Sequence, residues 1–533
     1  MFRKTNPQRK LFGAGSEFSE EKRERLRSTW AHQYLTKALP LIDEELFAKY
    51  FDPGNGRPNK SVQLVVSVLI LKELNNLTDE EALEELEWNT AWQYALDLLP
   101  DEAHTCQKTL HNFRAYLLND DAGAALFENI VARLISAAGL STKRQRLDST
   151  HVVSNIKLLG RLGLFTETIR VFLEKLREEA PEVANEVPEE LRGRYLDREG
   201  YFGDARGSEA GRRLEQAALD LYELVRRFSG DERVDGMESF GLLVRLFDDQ
   251  CEMPGGRKPE RIELKERPLS TSLQSPSDPD ATYGHKGKGY EVQIAETCEE
   301  ENAIQVVTAV AVNGANESDQ QQVAVMLEQV ERTSGEAAEE VHADAGYGSG
   351  ENIVLAREMG TELKAPIGSK ESEKVVAVVE FEFDEKGERV VKCPGGEAPI
   401  RHEEKRGGVR ACFELSRCKK CPLRKECPTK TRLRGGVRVL QMSRAGIAVA
   451  QRRQEQKTAR FKERHKIRSG IEATNSELKR CHGLGKLRVR GRARVGLASR
   501  MKALSLNIKR YMAHLVKVVS LKVPELAEAV AVD

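Results

Sequence analysis

The chain has 533 residues, with 84 Lys+Arg against 84 Asp+Glu, 32% charged and 40% hydrophobic residues. That balance excludes a collagen-like or fibrous chain and argues against disorder throughout. The longest apolar run, Val62 to Leu71, is shorter than the ~20 residues of a bilayer span, and the basic start MFRKTNPQRK has no apolar stretch behind it to make a secretory signal.

The neutral total conceals an asymmetry. Lys430 to Arg510 holds 24 Lys/Arg against 4 Asp/Glu, while acids concentrate over 79–87 and 167–260. One strongly basic segment is the electrostatic footprint of a nucleic-acid partner, with a solvated basic helix surface as the plainer alternative.

In chain order, residues 1–34 are charged and lack apolar periodicity, which predicts a mobile basic tail. Residues 35–140 read as an all-α N-terminal domain. The run from Ser61 through Leu74 is too long for a strand. Thr78 with Glu81 forms a capping box, and Gln107 to Leu118 is a helix carrying Lys108 and Arg114. These short helices are compatible with a helix-turn-helix unit that binds DNA.

Residues 141–366 read as α/β, interrupted by helices with acidic faces over about 160–265. Gln145 to Val153 is a strand, Tyr290 to Thr297 alternates, and Ala303 to Val312 is nearly all apolar. Helix over Glu317–Thr333, strand into the glycine turn after Glu340, helix over Glu351–Met359 and strand from Thr361 complete a mixed sheet. Residues 367–440 hold a hairpin over Val375–Val391, turning at Asp384–Gly387, and a cysteine segment. Residues 441–515 are basic, with one long helix over Arg444–Arg480 and another over Arg500–Val519, and 516–533 form a tail.

Three acids stand apart. Asp148 lies within an apolar strand, where an unpaired charge is costly. Asp344 ends a second strand, where α/β sheets form ligand sites. Glu472 shares a helical face with Arg468 and Lys479, four residues before and seven after. Converging carboxylates of this kind suit Mg²⁺ or Mn²⁺. Each also has a plainer reading: a turn former for either aspartate, a surface ion pair for Glu472 with Arg468.

The run His465–Lys479 resembles the signature of bacterial insertion-sequence transposases of the DDE type: Tyr, two residues, Arg, three residues, Glu, six residues, Lys. Arg468, Glu472 and Lys479 match at the same spacing, and His465 stands where Tyr is usual. Leu147-Asp148-Ser-Thr-His and His342-Ala-Asp344-Ala-Gly-Tyr resemble the two aspartate motifs, and Asp52-Pro-Gly-Asn-Gly-Arg-Pro with Lys108–Arg114 resembles the N-terminal domain of that family. The resemblance implies a ribonuclease-H-like mixed-sheet core, with inserted helical and cysteine-rich segments, that cleaves and transfers DNA strands. It implies Asp148, Asp344 and Glu472 as catalytic, Mg²⁺-holding residues. It implies double-stranded DNA as partner, at element ends and target, a homodimer or larger complex on paired ends, no membrane, and a cytoplasmic place on the bacterial nucleoid. A non-catalytic DNA-binding relative and a plain metal-dependent nuclease are the alternatives.

Cys418, Cys421 and Cys427 give C-x2-C-x5-C, and Cys393-Pro-Gly-Gly lies upstream, with Cys412 as an alternative to Cys393. Knuckle-like turns of this kind aim thiolates at one structural Zn²⁺, and reduced loop thiols are the alternative. The expected DNA contacts are Arg468, Lys479, Arg480, Arg488, Arg490, Arg492, Arg114 and Lys108. Gly485-Lys486 lacks the other residues of a phosphate-binding P-loop.

Overall fold

The fold is organised around a mixed sheet whose two central strands are parallel. In the computed structural model, residues 1–5, 13–16, 18–52, 58–197, 208–254, 262–368, 378–384, 389–405, 408–432 and 435–530 are described. The sheet comprises β1 (Arg144–Val152), β2 (Thr282–Gly284), β3 (Gly287–Thr297), β4 (Val307–Gly314), β5 (Glu340–Ala343) and β6 (Glu362–Lys364). Its spatial order is β4-β3-β1-β5-β6, with β2 as a hairpin partner of β3. The β3–β1 and β4–β3 ladders are antiparallel, and β1–β5 and β5–β6 are parallel. Each parallel step is spanned by helix, Val323–Ser334 before β5 and Gly350–Glu358 before β6. Gly350 is required by close approach, because a Cβ there would lie 2.2 Å from the Ala445 carbonyl oxygen.

The alternation read in β3 is real, but both of its faces are buried. Tyr290, Val292 and Ile294 enter the main core, and on the other face Glu291 and Gln293 are also enclosed. Glu296, buried on the same face as Ile294, is neutralised by Arg146 at 2.6 Å and Arg510 at 2.5 Å. Buried polar groups survive only when they are paired in this way.

The N-terminal helices are not a separate body. Helix Val62–Leu74 is apolar on every side, capped by the Ser61 side chain, and buried against helix Arg492–Val530. Ser505 Oγ donates to the Ile70 carbonyl at 2.8 Å. The Thr78–Glu81 capping box forms as its sequence predicts. The stretch expected as a mobile tail over 1–34 is helical at Glu20–Arg27 and Trp30–Gln33, and Ala31 and Tyr34 are fully buried. Its sparse apolar residues serve another segment's core, a signal that periodicity within the stretch does not carry.

Between β1 and β2, helices Arg161–Glu179, Glu189–Leu196, Ser208–Phe228 and Glu238–Gln250 enclose their own core around Phe165, Phe172, Phe228 and Phe240. After β6 comes a second, antiparallel sheet of β7 (Arg401–Lys405), β8 (Gly408–Glu414), β9 (Lys430–Arg432) and β10 (Val437–Ser443), in the order β7-β8-β10-β9. Short strands Glu382–Phe383 and Val390–Lys392 form the expected hairpin, and its turn at 385–388 lies outside the described residues, as do 53–57 of the Asp52–Pro58 motif.

The single long helix expected over Arg444–Arg480 is instead three helices, Arg444–Glu455, Ala459–His465 and Gly470–Arg480. Thr458 caps the second with its side chain, and a tight turn at Lys466–Ser469 precedes the third. The expected tail after 515 continues helical to Val530. Among the described residues no helix is long and apolar enough to cross a membrane.

Candidate active site

Register explains why Asp148 and Asp344 meet. Leu147 on β1 pairs in parallel with Ala343 on β5, and both side chains enter the same apolar cluster. Asp148, the next residue on β1, therefore alternates to the opposite face, and Asp344 immediately follows the end of β5. Helix Gly470–Arg480 reaches that face: Asn475 Nδ2 donates to Asp148 Oδ2 at 3.2 Å. Arg468 bridges two of the acids, 3.8 Å from Asp148 Oδ1 and 3.1 Å from Glu472 Oε1. The i,i+4 pair thus forms although Arg468 sits in the turn before the helix.

The carboxylates differ in setting. Burial pushes the Asp148 carboxyl up to about 6, with Arg468 opposing and the charge of Asp344 adding to the rise. Asp344 Oδ1 accepts the Gly346 N–H at 2.7 Å. Glu472 is 64% exposed and faces Arg468. Among the described residues no three His, Cys, Asp or Glu side chains stand close enough to enclose an ion. The donor set is nevertheless one of hard oxygens, and the mutual opposition of Asp148 and Asp344 is what a divalent cation would relieve.

Lys479 lies one turn beyond Asn475, and burial together with the neighbouring Lys286 ammonium holds it below its ordinary range, against Glu291. Lys286 also faces Asp148 and lies 3.4 Å from Glu291. His465, in the motif's aromatic position, stacks on Phe461 with ring centroids 5.4 Å apart. Burial, aided by His342, pushes its imidazole down to about 4, so it is neutral at physiological pH.

The other expected DNA contacts divide. Lys108 and Arg480 are exposed on their helices. Arg114 is forked onto Asp79. Arg488 donates to the carbonyls of Leu77 at 2.6 Å and Asn76 at 3.0 Å, Arg490 to that of Asn155 at 2.6 Å, and Arg492 to Glu317 at 2.7 Å. These guanidiniums fasten the 485–492 segment to the fold instead of forming an unengaged row. Arg488→Ala should accordingly lower stability by about 1 kcal/mol, read as a shift in urea midpoint.

Cys393, Cys418, Cys421 and Cys427 all line one cavity of about 30 Å³, with Phe413 and Arg438. Cys412 is buried with Val437 and Val439 on the opposite face of β8 from Phe413, so the fourth thiol of the cavity is Cys393. Among the described residues no three of the thiols are arranged to hold an ion. The segment's core is larger than its own sequence suggests, because Phe381, Val390, Leu440 and Ile447 join Phe413 beneath it.

Asn475, Ser149, Gln293, Asp319, Tyr347 and Lys286 surround the acids and are not singled out from the sequence as site residues. Only Asn475, three residues after Glu472 on one helix face, carried a periodic signal.

Two stretches match family models: residues 392–512 a transposase DDE domain, and residues 24–116 a transposase domain of the type designated DUF772. The first includes Glu472 and the four cavity cysteines, while Asp148 and Asp344 precede it. No curated protein and no solved structure matches the chain.

Proposed function

We propose that this chain, an insertion-sequence transposase of the DDE type by its two family segments, is an active enzyme that binds the ends of its element and cleaves and transfers DNA strands at Asp148, Asp344 and Glu472. The observation that supports this reading is the parallel pairing of Leu147 with Ala343, each followed directly by an aspartate, with Asn475 of the Glu472 helix bonded to Asp148. The β4-β3-β1-β5-β6 order supports a ribonuclease-H-like core. Asp148, Asp344 and Glu472 would hold Mg²⁺ or Mn²⁺, which activates the attacking oxygen and stabilises the leaving oxygen of a phosphodiester. The chain's own residues supply the rest. Arg468 holds Asp148 and Glu472 on one side of the site, Asn475 orients the Asp148 carboxyl, and Lys479 and Lys286 present positive charge to backbone phosphates. Paired ends imply a homodimer or larger assembly.

The test is incubation of a duplex carrying the element's terminal sequence with protein and Mg²⁺. Cleavage at the element boundary, absent in chelator, is expected, whereas metal-dependent cutting anywhere along the duplex would favour a plain nuclease. Lys479→Ala should weaken end binding and lower the slope of log K against log salt by about one phosphate contact, measured by fluorescence anisotropy. An unchanged slope would remove Lys479 from the DNA interface.

The four cavity cysteines are proposed to hold one structural Zn²⁺, a tetrahedral all-thiolate set. Purified protein should contain about one zinc, with Zn–S distances near 2.3 Å, and Cys421→Ser should lose it. Chelation should expose residues 393–430 to protease while the main sheet stays protected. Less than half an equivalent in the unaltered chain, or no loss in the variant, contradicts the assignment.

A further inference from the structure

We infer that Asp319 is a positioning residue that ties the strand of Asp148 to the turn of Asp344, an inference that rests on the catalytic reading above. Asp319 opens the tight turn Asp319–Gln322 that precedes helix Val323–Ser334, where the sequence predicts uninterrupted helix from Glu317. Its two oxygens are divided between two donors. Ser149 Oγ donates to Oδ2 at 3.3 Å, and Gln293 Nε2 donates to Oδ1 at 2.8 Å.

Each donor leads to a catalytic segment. Ser149 follows Asp148 on β1 and pairs with Gln293 across the β1–β3 ladder. Gln293, fully buried, accepts through Oε1 the hydroxyl of Tyr347, which is itself fully buried and lies three residues after Asp344. Asn352 closes the other side, donating to the carbonyls of both Gln320 and Tyr347 at 2.9 Å. Gly346 marks how tightly the turn is held, since a Cβ there would lie 2.9 Å from Asp344 Oδ1 and 3.2 Å from Asp319 Oδ2. Asp319 therefore approaches the site from behind, through strand and turn, on the face opposite to the Asp148 side chain.

A third acid beside two others is electrostatically unfavourable, and an apolar residue would fill a purely structural place at less cost. What only an acceptor can do here is receive Ser149 and Gln293 together and so fix how far apart the Asp148 and Asp344 segments stand. Groups that orient metal-holding side chains in this way typically affect metal affinity or activity 10- to 100-fold.

The experiment compares Asp319→Ala and Asp319→Asn in the full-length chain. Readouts are the kcat for cleavage of an element-end duplex, Mn²⁺ binding to the protein alone by calorimetry, and melting temperature. Asp319→Ala should lose about 10- to 100-fold in kcat and bind Mn²⁺ more weakly by a similar factor, with KM for DNA unchanged. Asp319→Asn, whose amide oxygen still accepts from Gln293 and whose amide N–H can be received by the Ser149 hydroxyl, should stay within a few-fold of the unaltered chain. Tyr347→Phe removes one hydroxyl from the other end of the network and should reduce kcat and Mn²⁺ affinity in the same direction, even if Asp319→Ala folds poorly. Asparagine as harmful as alanine would overturn positioning in favour of direct ligation. Losses in melting temperature without any change in Mn²⁺ affinity, or full activity in Asp319→Ala, would overturn it too. An unaltered chain that neither cleaves nor binds Mn²⁺ overturns the catalytic reading, and with it this inference; failure confined to the Asp319 and Tyr347 variants overturns the inference alone.

Discussion

Asp148→Asn should abolish end cleavage, by at least about a thousandfold, the scale on which loss of one member of a catalytic constellation is felt, while leaving DNA affinity within about twofold. The substitution keeps the size of the side chain and an oxygen for Asn475 to donate to. It removes the negative charge that burial and Asp344 already oppose and that a divalent cation would use. Glu472→Gln should behave alike, and more cleanly as a control for folding, because Glu472 is mostly exposed and its neighbour in the structure is Arg468. Cleavage assayed beside gel-shift binding separates the outcomes. A variant that cuts at near-normal rate would move the active site elsewhere.

The second large effect is on stability. Glu73 lies at the junction of the N-terminal and C-terminal helices, 2.8 Å from Lys72 and 2.5 Å from Lys502, and Lys502 also donates to the His482 carbonyl. Lys502 is 5% exposed. Glu73→Ala strands that buried ammonium and should cost about 3–5 kcal/mol in urea unfolding, whereas the double change Glu73→Leu with Lys502→Met should recover much of the loss. Burial alone would raise the Glu73 carboxyl, but the two lysines outweigh it and hold it below its ordinary range. The pair's contribution is therefore present above the unfolded carboxylate pKa, about 4.3, and is lost as pH falls through the lower folded value. A cost below about 1 kcal/mol would show that the two helical regions are held together by apolar packing alone.

These two regions are more than 400 positions apart, which is why a reading by segments separates them. The apolar helix Val62–Leu74 announces burial by having no polar face, but nothing in it names Arg492–Val530 as its cover. The strands around the site are legible for the opposite reason. β3 alternates and β4 carries a short apolar run, and an acid within or just after a buried strand, as at Asp148 and Asp344, is conspicuous by its cost. Glu472 is legible through its spacing to Arg468 and Lys479 because neighbours on one helix face are fixed by 3.6-residue periodicity. Asp319, Gln293 and Tyr347 have no such local rule, since their partners lie on different strands and turns. The charge of Arg488 and Arg490 is visible in the sequence, while the backbone carbonyls that receive their hydrogen bonds are not. The break at Gln456–Thr458 is hidden because Thr458 caps the following helix from within a strongly helical composition.

The central claim is that the site joins strands as well as cutting them. Its most direct measurement supplies pre-cleaved element-end duplex and supercoiled target DNA with Mg²⁺, and looks for ends covalently attached to target. The account predicts joined products that carry the 3′ end of the element strand, formed by the unaltered chain and absent with Asp148→Asn. Metal-dependent nicking of the target without any joined product would contradict it and identify a nuclease.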